Sequence, residues 1–112
     1  FGRRLIDFEM VQAMLADMAI KTEAARVLVN NCMRQMDAGE MVRKDGAIVK
    51  TFVTDAMQEV VSNAVQVLGG YGYSEEYPVE KLMRDAKIFQ IFEGSNQIQR
   101  MTIAKELDRE YR

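Results

Sequence analysis

The chain has 112 residues, 48% of them apolar, which suits one modest hydrophobic core and is too short for two independent domains. Fifteen basic and seventeen acidic residues leave a net charge of −2 with no basic block, which argues against nucleic acid as a partner. The absence of histidine and the single cysteine, Cys32, exclude disulfide frameworks, thiolate or imidazole metal sites and nucleophile–histidine catalysis. Any acid–base chemistry must therefore come from a carboxylate.

The chain has neither a membrane-spanning nor a signal segment in its sequence. No apolar run approaches the roughly 20 residues that cross a bilayer, and no charged-then-apolar segment opens the chain. Together with the lack of disulfides, this predicts a soluble, intracellular protein. The sequence begins Phe1-Gly2-Arg3-Arg4 without an initiator methionine and enters helical periodicity almost at once. We interpret it as a piece of a longer protein.

A long amphipathic helix is predicted for the first third of the chain. Apolar residues recur every three or four positions from Val11 to Met36, and charged residues lie on the other faces. Asp7 is a suitable N-cap residue, and Gly39 is a suitable residue just past the helix end. The polar stretch from Gly39 to Gly46 is the expected connection to the next helix.

A second long helix is predicted from about Ala47 to Leu68. Its apolar face is wide, which suits a helix packed on two sides, including against another subunit. The nine methionines lie mostly at helical spacing and are more simply explained as core and interface residues than as a ligand-binding set. Gly69 and Gly70 end this helix, and a loop from Tyr71 to Tyr77 is expected to follow.

A short third helix is predicted from Val79 to about Ile88. Pro78 fits its first position, because the missing N–H of proline has no partner to lose there. Glu80 and Arg84 stand four residues apart and form an expected ion pair on one face.

A fourth helix is predicted after a linker from Phe89 to Gly94, with Ser95 as its cap. Its charged end, Lys105 to Arg112, is expected to fray. No strand-like alternation is sustained anywhere. The predicted fold is all-α, an antiparallel four-helix bundle of two long and two short helices in one domain over residues 1–112.

Three glycines, Gly69, Gly70 and Gly72, fall within four positions after the second helix. One glycine suffices for a helix cap, so the others indicate a positive φ, a close backbone approach or contact with a ligand. The glycines follow a helix instead of opening one, so the dipole of that helix does not favour an anion. A tight structural turn is the commoner explanation, and ligand contact stays open.

Glu93 is the candidate reactive carboxylate, and its environment has two opposing effects. A position next to a helix start lowers the pKa of a carboxyl group and keeps it ionised. Burial against Ile91 and Phe92 raises that pKa toward the range of a general base. The local sequence does not decide between a base and a polar residue near a helix start, although the second is commoner.

Three segments, taken in order, match a known family pattern: Gln66 to Tyr73, Tyr77 to Ile88, and Gln90 to Arg100. Together they closely resemble the C-terminal helical domain of the acyl-CoA dehydrogenases, most of all the short- and medium-chain, butyryl-type branch. The resemblance also covers Phe1-Gly2 and Leu15 to Ala19, so it extends over essentially the whole chain.

The resemblance implies a chemical role for the segment around Glu93. In this family of flavoprotein oxidoreductases, FAD oxidises an acyl-CoA to the trans-2-enoyl-CoA. A glutamate removes the α-proton while the β-hydrogen leaves as hydride to the flavin. Glu93 matches that glutamate. Gly94 matches a substrate-contacting glycine, and Phe92 stands where a tyrosine beside the acyl chain is frequent.

The resemblance also implies contacts with FAD. Six residues match positions that lie against this cofactor: Phe1, Gln66, Gly69, Gly70, Ser95 and Gln97. The segment with Gln66, Gly69 and Gly70 matches one that reaches the FAD of a neighbouring subunit, which supplies a reason for the surplus glycines. No metal is implied.

The resemblance further implies fatty acid β-oxidation with electron-transferring flavoprotein as the electron acceptor. It also implies a homo-oligomer, tetramer or dimer, located in a bacterial cytoplasm or the mitochondrial matrix. A non-catalytic helical oligomerisation module and an acyl-CoA oxidase-type relative remain alternatives. Nothing in these helices distinguishes electron acceptors or acyl chain lengths.

The sequence departs from the family pattern at several points. Glu9 stands where many relatives carry a glutamine near the adenine, and Asn96 replaces a serine common in medium-chain relatives. An arginine expected shortly before Phe1, and the N-terminal helical and middle β domains, lie outside this sequence. Because those domains hold the flavin ring and most of the CoA, we expect residues 1–112 alone to be inactive.

Overall fold

The computed structural model describes residues 1–112 and contains only helices and their connections. The α-helices are α1 (Glu9–Asp37), α2 (Arg43–Leu68), α3 (Gly70–Tyr73), α4 (Val79–Lys87) and α5 (Asn96–Glu110). Short 3-10 turns occupy Leu5–Asp7 and Ile88–Gln90. The predicted all-α class, with two long and two shorter main helices, is confirmed. The single turn α3 falls in the stretch that the sequence predicted as a loop.

The connection between α1 and α2 is set by Gly39. This residue has a φ of 76°, and its N–H donates to the carbonyl of Met36 while the N–H of Glu40 donates to that of Gln35. These two bonds form a Schellman motif, which satisfies the last carbonyls of α1. The predicted role of Gly39 is confirmed. The predicted N-cap at Asp7 is wrong, because Asp7 ends a 3-10 turn and Phe8 precedes α1.

The start of α2 lies earlier than the sequence predicted. Arg43, Lys44 and the residues up to Gly46 are helical, so the connection is shorter than expected. Arg43 pairs with Glu106 at 3.4 Å, and Lys44 pairs with Glu110, both on α5. The predicted fraying of the C-terminal tail from Lys105 is therefore also wrong as far as Glu110, because these ion pairs attach it to α2.

The helices around α4 follow the sequence signals closely. Pro78 precedes the first residue of α4, one position before its predicted place. Its carbonyl still accepts a bond from the N–H of Leu82 at 3.2 Å. The predicted ion pair between Glu80 and Arg84 is present at 3.0 Å. At α5, the hydroxyl of Ser95 accepts a bond from the N–H of Ile98, which confirms Ser95 as the cap.

The central helix is α2, which packs against α1 on one side and against α4 and α5 on others. The molecule is elongated, 60 × 25 × 24 Å, and only eight residues are buried. Those residues are small, such as Cys32, Ala47 and Ala56, and no large side chain is fully buried. Many large apolar side chains on α1 and α5 stay exposed, such as Ile20, Met33 and Met101, whereas on α2 only Phe52 does, so the apolar faces of α1 and α5 are wider than this chain alone covers. None of the helices has the length and apolar character that crossing a bilayer requires.

Two of the three glycines after α2 have a reason within the chain. Gly69 has a φ of 64°, which residues with a side chain rarely adopt. A Cβ on Gly72 would lie 2.5 Å from the carbonyl oxygen of Val65. Gly70 has neither constraint, since its φ is ordinary and no atom lies within 4 Å of the place its Cβ would take. A tight turn accounts for Gly69 and Gly72 but not for Gly70.

Candidate functional site

The segment from Ile91 to Ser95 joins the 3-10 turn at Ile88–Gln90 to α5, and we call it the base loop after the role that the sequence resemblance implies for Glu93. Glu93 and Gly94 lie in its middle with φ values of 56° and 81°. Glu93 is the only residue other than glycine with a positive φ in the chain. A side-chain-bearing residue in this region costs about 1–2 kcal/mol, and such strain clusters at functional sites.

The strained turn is held by bonds to its backbone. The amide of Gln99 on α5 donates to the carbonyl of Glu93 at 3.0 Å and lies 3.5 Å from that of Gly94. A Cβ on Gly94 would lie 2.8 Å from this amide nitrogen. The φ of Gly94 therefore favours glycine, and a Cβ there would also displace the end of the Gln99 side chain.

The carboxylate of Glu93 is exposed and has no hydrogen bond or ion pair within the chain. Ile91 and Phe92 flank it, as the sequence indicated, but both side chains are themselves exposed. Phe92 packs edge-on against Phe89, with ring centroids 5.1 Å apart. The apolar neighbours therefore form a surface beside Glu93 and do not bury it.

A polar cluster lies behind the base loop, where α2 meets α5. It consists of Lys50, Thr54, Asp55, Gln90, Asn96 and Arg100. At its centre is Asn96, the most buried polar side chain, with 3% exposure. The amide of Asn96 donates to Thr54 and to Asp55, each at 2.7 Å, and its oxygen accepts from Lys50 at 2.6 Å. All the hydrogen-bonding groups of this amide therefore face α2.

Asp55 is the acidic member of the cluster. It accepts hydrogen bonds from Gln90 at 2.9 Å, from Asn96 at 2.7 Å and from Arg100 at 2.8 Å. Partial burial raises the pKa of Asp55, but the hydrogen bonds from Arg100, Asn96 and Gln90 outweigh it and hold that pKa below its usual range. Asp55 is therefore charged at neutral pH and bonds residues on both sides of the base loop.

A polar cleft of about 580 Å³ opens next to the base loop. Ser95 and Gln97, two of the residues predicted to contact the cofactor, line it together with Asp55, Gln90 and Arg100. Glu93 does not line this cleft. The structure thus places Phe92, Glu93 and Gly94 in the base loop and Ser95 and Gln97 at the adjoining cleft.

The other predicted cofactor residues lie elsewhere. Gln66 lies near the end of α2, about 17 Å of helix rise beyond Asp55, and Gly69 and Gly70 follow directly after that end. The antiparallel pairing of α1 and α2, seen in the ion pair between Lys21 and Glu59 at 3.2 Å, brings the start of α1 to this end. Phe1 lies near that start, fully exposed, with its ring edge-on to Phe8 at 6.2 Å. Within one chain, Glu93 therefore lies apart from Phe1, Gln66, Gly69 and Gly70 and does not form one site with them.

The polar cluster was not predicted from the sequence. In the sequence, Asn96 stands out only as a departure from a family serine, and no motif gives Lys50 or Asp55 a role. One signal is present in the sequence: Lys50, Thr54 and Asp55 are polar residues within the largely apolar stretch from Ala47 to Met57. Their partners lie 35 to 46 residues away in the sequence, so the pairing appears only in the fold.

The fold and the site define an all-helical domain that presents a strained, exposed glutamate in the loop before its last helix. A family model described as the C-terminal domain of acyl-CoA dehydrogenase matches residues 1–107. The chain therefore belongs to the acyl-CoA dehydrogenase family, as the sequence resemblance indicated. Acyl-CoA dehydrogenases are FAD-dependent oxidoreductases.

The similarity to individual relatives is consistent with this family assignment. Cyclohexane-1-carbonyl-CoA dehydrogenase of Geobacter metallireducens is 46% identical over 110 residues, which is 98% of this chain and 29% of the relative. The CarC subunit of the caffeyl-CoA reductase–Etf complex of Acetobacterium woodii is 42% identical over 93% of this chain and 27% of its own length. The structure of butyryl-CoA dehydrogenase from Megasphaera elsdenii superposes with a TM-score of 0.94 at 46% identity, covering 97% of this chain and 28% of that one. The chain spans less than a third of the length of these relatives.

Proposed function

We propose that residues 1–112 form the C-terminal helical domain of a longer acyl-CoA dehydrogenase and supply its catalytic base, Glu93. The whole protein would use FAD to convert a short- or medium-chain acyl-CoA to the trans-2-enoyl-CoA. The observation that carries this proposal is the state of Glu93: its backbone is strained, and its carboxylate has no partner in the chain. A residue with a strained backbone, whose side chain makes no structural contact, is a candidate for function.

In the proposed mechanism, Glu93 takes the proton from the carbon next to the thioester carbonyl. The side chain of Glu93 is exposed on the left-handed turn, and the neighbouring Gly94 would contact the substrate beside it. Phe92 and Ile91 offer an apolar surface to the acyl chain and exclude water from the carboxylate once substrate binds. When bound, FAD supplies the acceptor for the hydride that leaves the β-carbon.

The residues proposed to contact FAD fit that role. The side chains of Gln66 and Gln97 are exposed and have no hydrogen-bond partner within the chain. Gly70 leaves open the space that a Cβ would fill, and nothing in this chain requires a glycine there. We propose that Gln66, Gly69 and Gly70 contact the FAD of a neighbouring subunit, with Phe1 near its adenosine half. Ser95 and Gln97 would then lie against a cofactor from the side of the polar cleft.

The proposed partners follow from the same surfaces. Large apolar side chains exposed along α1 and α5 favour a homo-oligomer, in which these helices pack against other domains or subunits. A relative that is a subunit of an Etf complex supports electron-transferring flavoprotein as the acceptor. The relatives' names cite different acyl groups, so chain length needs measurement. A purely structural helical module is the second candidate, and the exposed apolar faces favour it equally.

The test of the function is reduction of the flavin by substrate. The full-length protein, purified with FAD and mixed without oxygen with acyl-CoAs from butyryl to octanoyl, is expected to lose its oxidised flavin absorbance. The 112-residue stretch alone is expected to be inactive, because it supplies the base and not the flavin pocket. A flavin-loaded full-length protein that no acyl-CoA reduces would contradict the proposal and favour the structural module.

The cofactor contact is tested by adding a methyl group at Gly70. Gly70→Ala in the full-length protein is expected to weaken FAD binding by about 1–3 kcal/mol, roughly 5- to 150-fold, since the Cβ occupies the space proposed for FAD. The matched control is Gly46→Ala, because Gly46 is also helical with open space around its Cβ position. We expect Gly46→Ala to keep FAD affinity, measured by titration of the apoprotein. Equal affinity of both variants would argue against the contact.

A further inference from the structure

Lys50 on α2 contacts the base loop directly. Its ammonium group donates to the carbonyl of Gly94 at 2.9 Å and to the side-chain oxygen of Asn96 at 2.6 Å. Both contacts join residues more than 40 positions apart. Lys50 therefore connects the middle of the central helix to the turn that carries Glu93.

Lys50 is the only lysine in this chain that donates to neutral oxygens of a distant segment, since the neutral partner of Lys87 is Gln90, three residues away. Lys21 and Lys44 each pair with a carboxylate, whereas Lys50 has no carboxylate within 4 Å and donates to neutral oxygens. Hydrogen bonds from a charged donor are about twice as strong as neutral ones. The charge of Lys50 thus holds one backbone carbonyl and the amide that begins α5.

The two carbonyl groups of the strained turn are fixed from two different helices. Gln99 on α5 holds the carbonyl of Glu93, and Lys50 on α2 holds that of Gly94. Asp55 adds a third attachment, because one of its oxygens accepts from both Gln90 and Asn96, which flank the base loop. The loop therefore has fixed ends and a fixed centre.

We propose that Lys50 is a positioning residue for the reaction: it keeps the Glu93–Gly94 turn in its left-handed conformation, so that the carboxylate stays aligned with the substrate's α-proton. This inference rests on the proposed role of Glu93 as the base. A displacement of about 1 Å at a reacting group is enough to cost about 100-fold in rate. Without the bond from Lys50, the turn relaxes toward ordinary φ values, and the carboxylate moves with it.

The test uses Lys50→Met in the full-length, FAD-containing protein. The methionine keeps the length of the side chain and removes the ammonium group. We expect kcat to fall by about 10- to 100-fold, while KM for the acyl-CoA and FAD content stay near wild type. The isotope effects with α-deuterated and with β-deuterated substrate are both expected to increase, because the proton leaves while the β-hydrogen departs and this step becomes slower relative to binding and release.

Two further variants separate positioning from stability. Lys50→Arg retains a charged donor and is expected to recover part of kcat. Lys44→Met removes an equivalent ammonium group from α2, where its partner Glu110 lies at the far end of α5. We expect Lys44→Met to keep kcat and both isotope effects. Thermal denaturation of each variant gives the accompanying change in stability.

The outcomes are distinct. If Lys50→Met keeps kcat within about twofold of Lys44→Met, or loses activity only in proportion to lost FAD, the positioning role is wrong. If Lys50→Met does not fold, Lys50→Gln replaces it, and failure of both beside an intact Lys44→Met would make Lys50 purely structural. Activity retained by Glu93→Gln would instead overturn the proposed base, whatever Lys50→Met does.

Discussion

Glu93→Gln in the full-length, FAD-containing protein is expected to slow flavin reduction by an acyl-CoA by about 100- to 10,000-fold, the usual contribution of a general base. The amide has the same shape as the carboxylate but does not accept a proton. FAD content is expected to stay unchanged, because the side chain of Glu93 makes no hydrogen bond or ion pair within the chain, and the bond from Gln99 goes to its backbone carbonyl. Stopped-flow absorbance of the flavin measures the rate, and the flavin-to-protein absorbance ratio measures FAD content.

Glu75→Gln provides the matched control for this substitution. Glu75 lies in the loop before α4, is exposed like Glu93 and has no ion pair. The same change of charge at Glu75 is expected to leave flavin reduction at the wild-type rate. A Glu93→Gln protein that keeps its rate within about tenfold of this control would exclude Glu93 as the base.

The sequence leaves open whether Glu93 is an ionised residue near a helix start or a buried general base, and the structure explains why. Ser95 takes the cap position of α5, and Glu93 lies outside the helix, in a turn of its own. Ile91 and Phe92 are exposed beside it, so any burial of the carboxylate must come from surfaces outside these 112 residues. The sequence of these 112 residues therefore does not determine whether the carboxylate of Glu93 becomes buried.

Local signals predicted the fold well where local interactions decide it. The period of apolar residues located the four main helices. As predicted, Gly39 follows the end of α1 and Ser95 precedes the start of α5. The errors lie where distant residues decide. The early start of α2 is accompanied by ion pairs of Arg43 with Glu106 and of Lys44 with Glu110, partners that follow more than 60 positions later.

The same distinction applies to the candidate site. Glu93, Gly94 and Phe92 are neighbours in sequence, so the motif indicated them together. Lys50 and Asp55 hold this loop in place. They lie in a helix whose apolar pattern indicates a packed helix and gives no sign of these contacts. A polar residue inside such a pattern indicates a buried partner, and here that partner is Asn96.

Asn96→Ser is expected to destabilise the full-length protein by about 1–3 kcal/mol, because it leaves buried polar groups without partners. A serine hydroxyl is too short to replace the three hydrogen bonds that the Asn96 side chain makes to Lys50, Thr54 and Asp55. Thermal denaturation is expected to show a midpoint lower by a few degrees. Asn63→Ser is the control, since Asn63 on α2 has no side-chain hydrogen bond, and it is expected to shift the midpoint little.

The loss of stability caused by Asn96→Ser is also expected to depend on pH. The pKa of Asp55 is lowered in the folded chain, so its charged form adds stability above the ordinary aspartate pKa, and this stability is lost as the pH falls through the lowered value. Asn96 is one of the donors that lower this pKa, so its removal matters most while Asp55 is ionised. The difference in midpoint between the variant and wild type is therefore largest near neutral pH and shrinks in acid. A deficit that stays constant from neutral pH to below the ordinary aspartate pKa would show that Asn96 acts through Lys50 and Thr54 and not through Asp55.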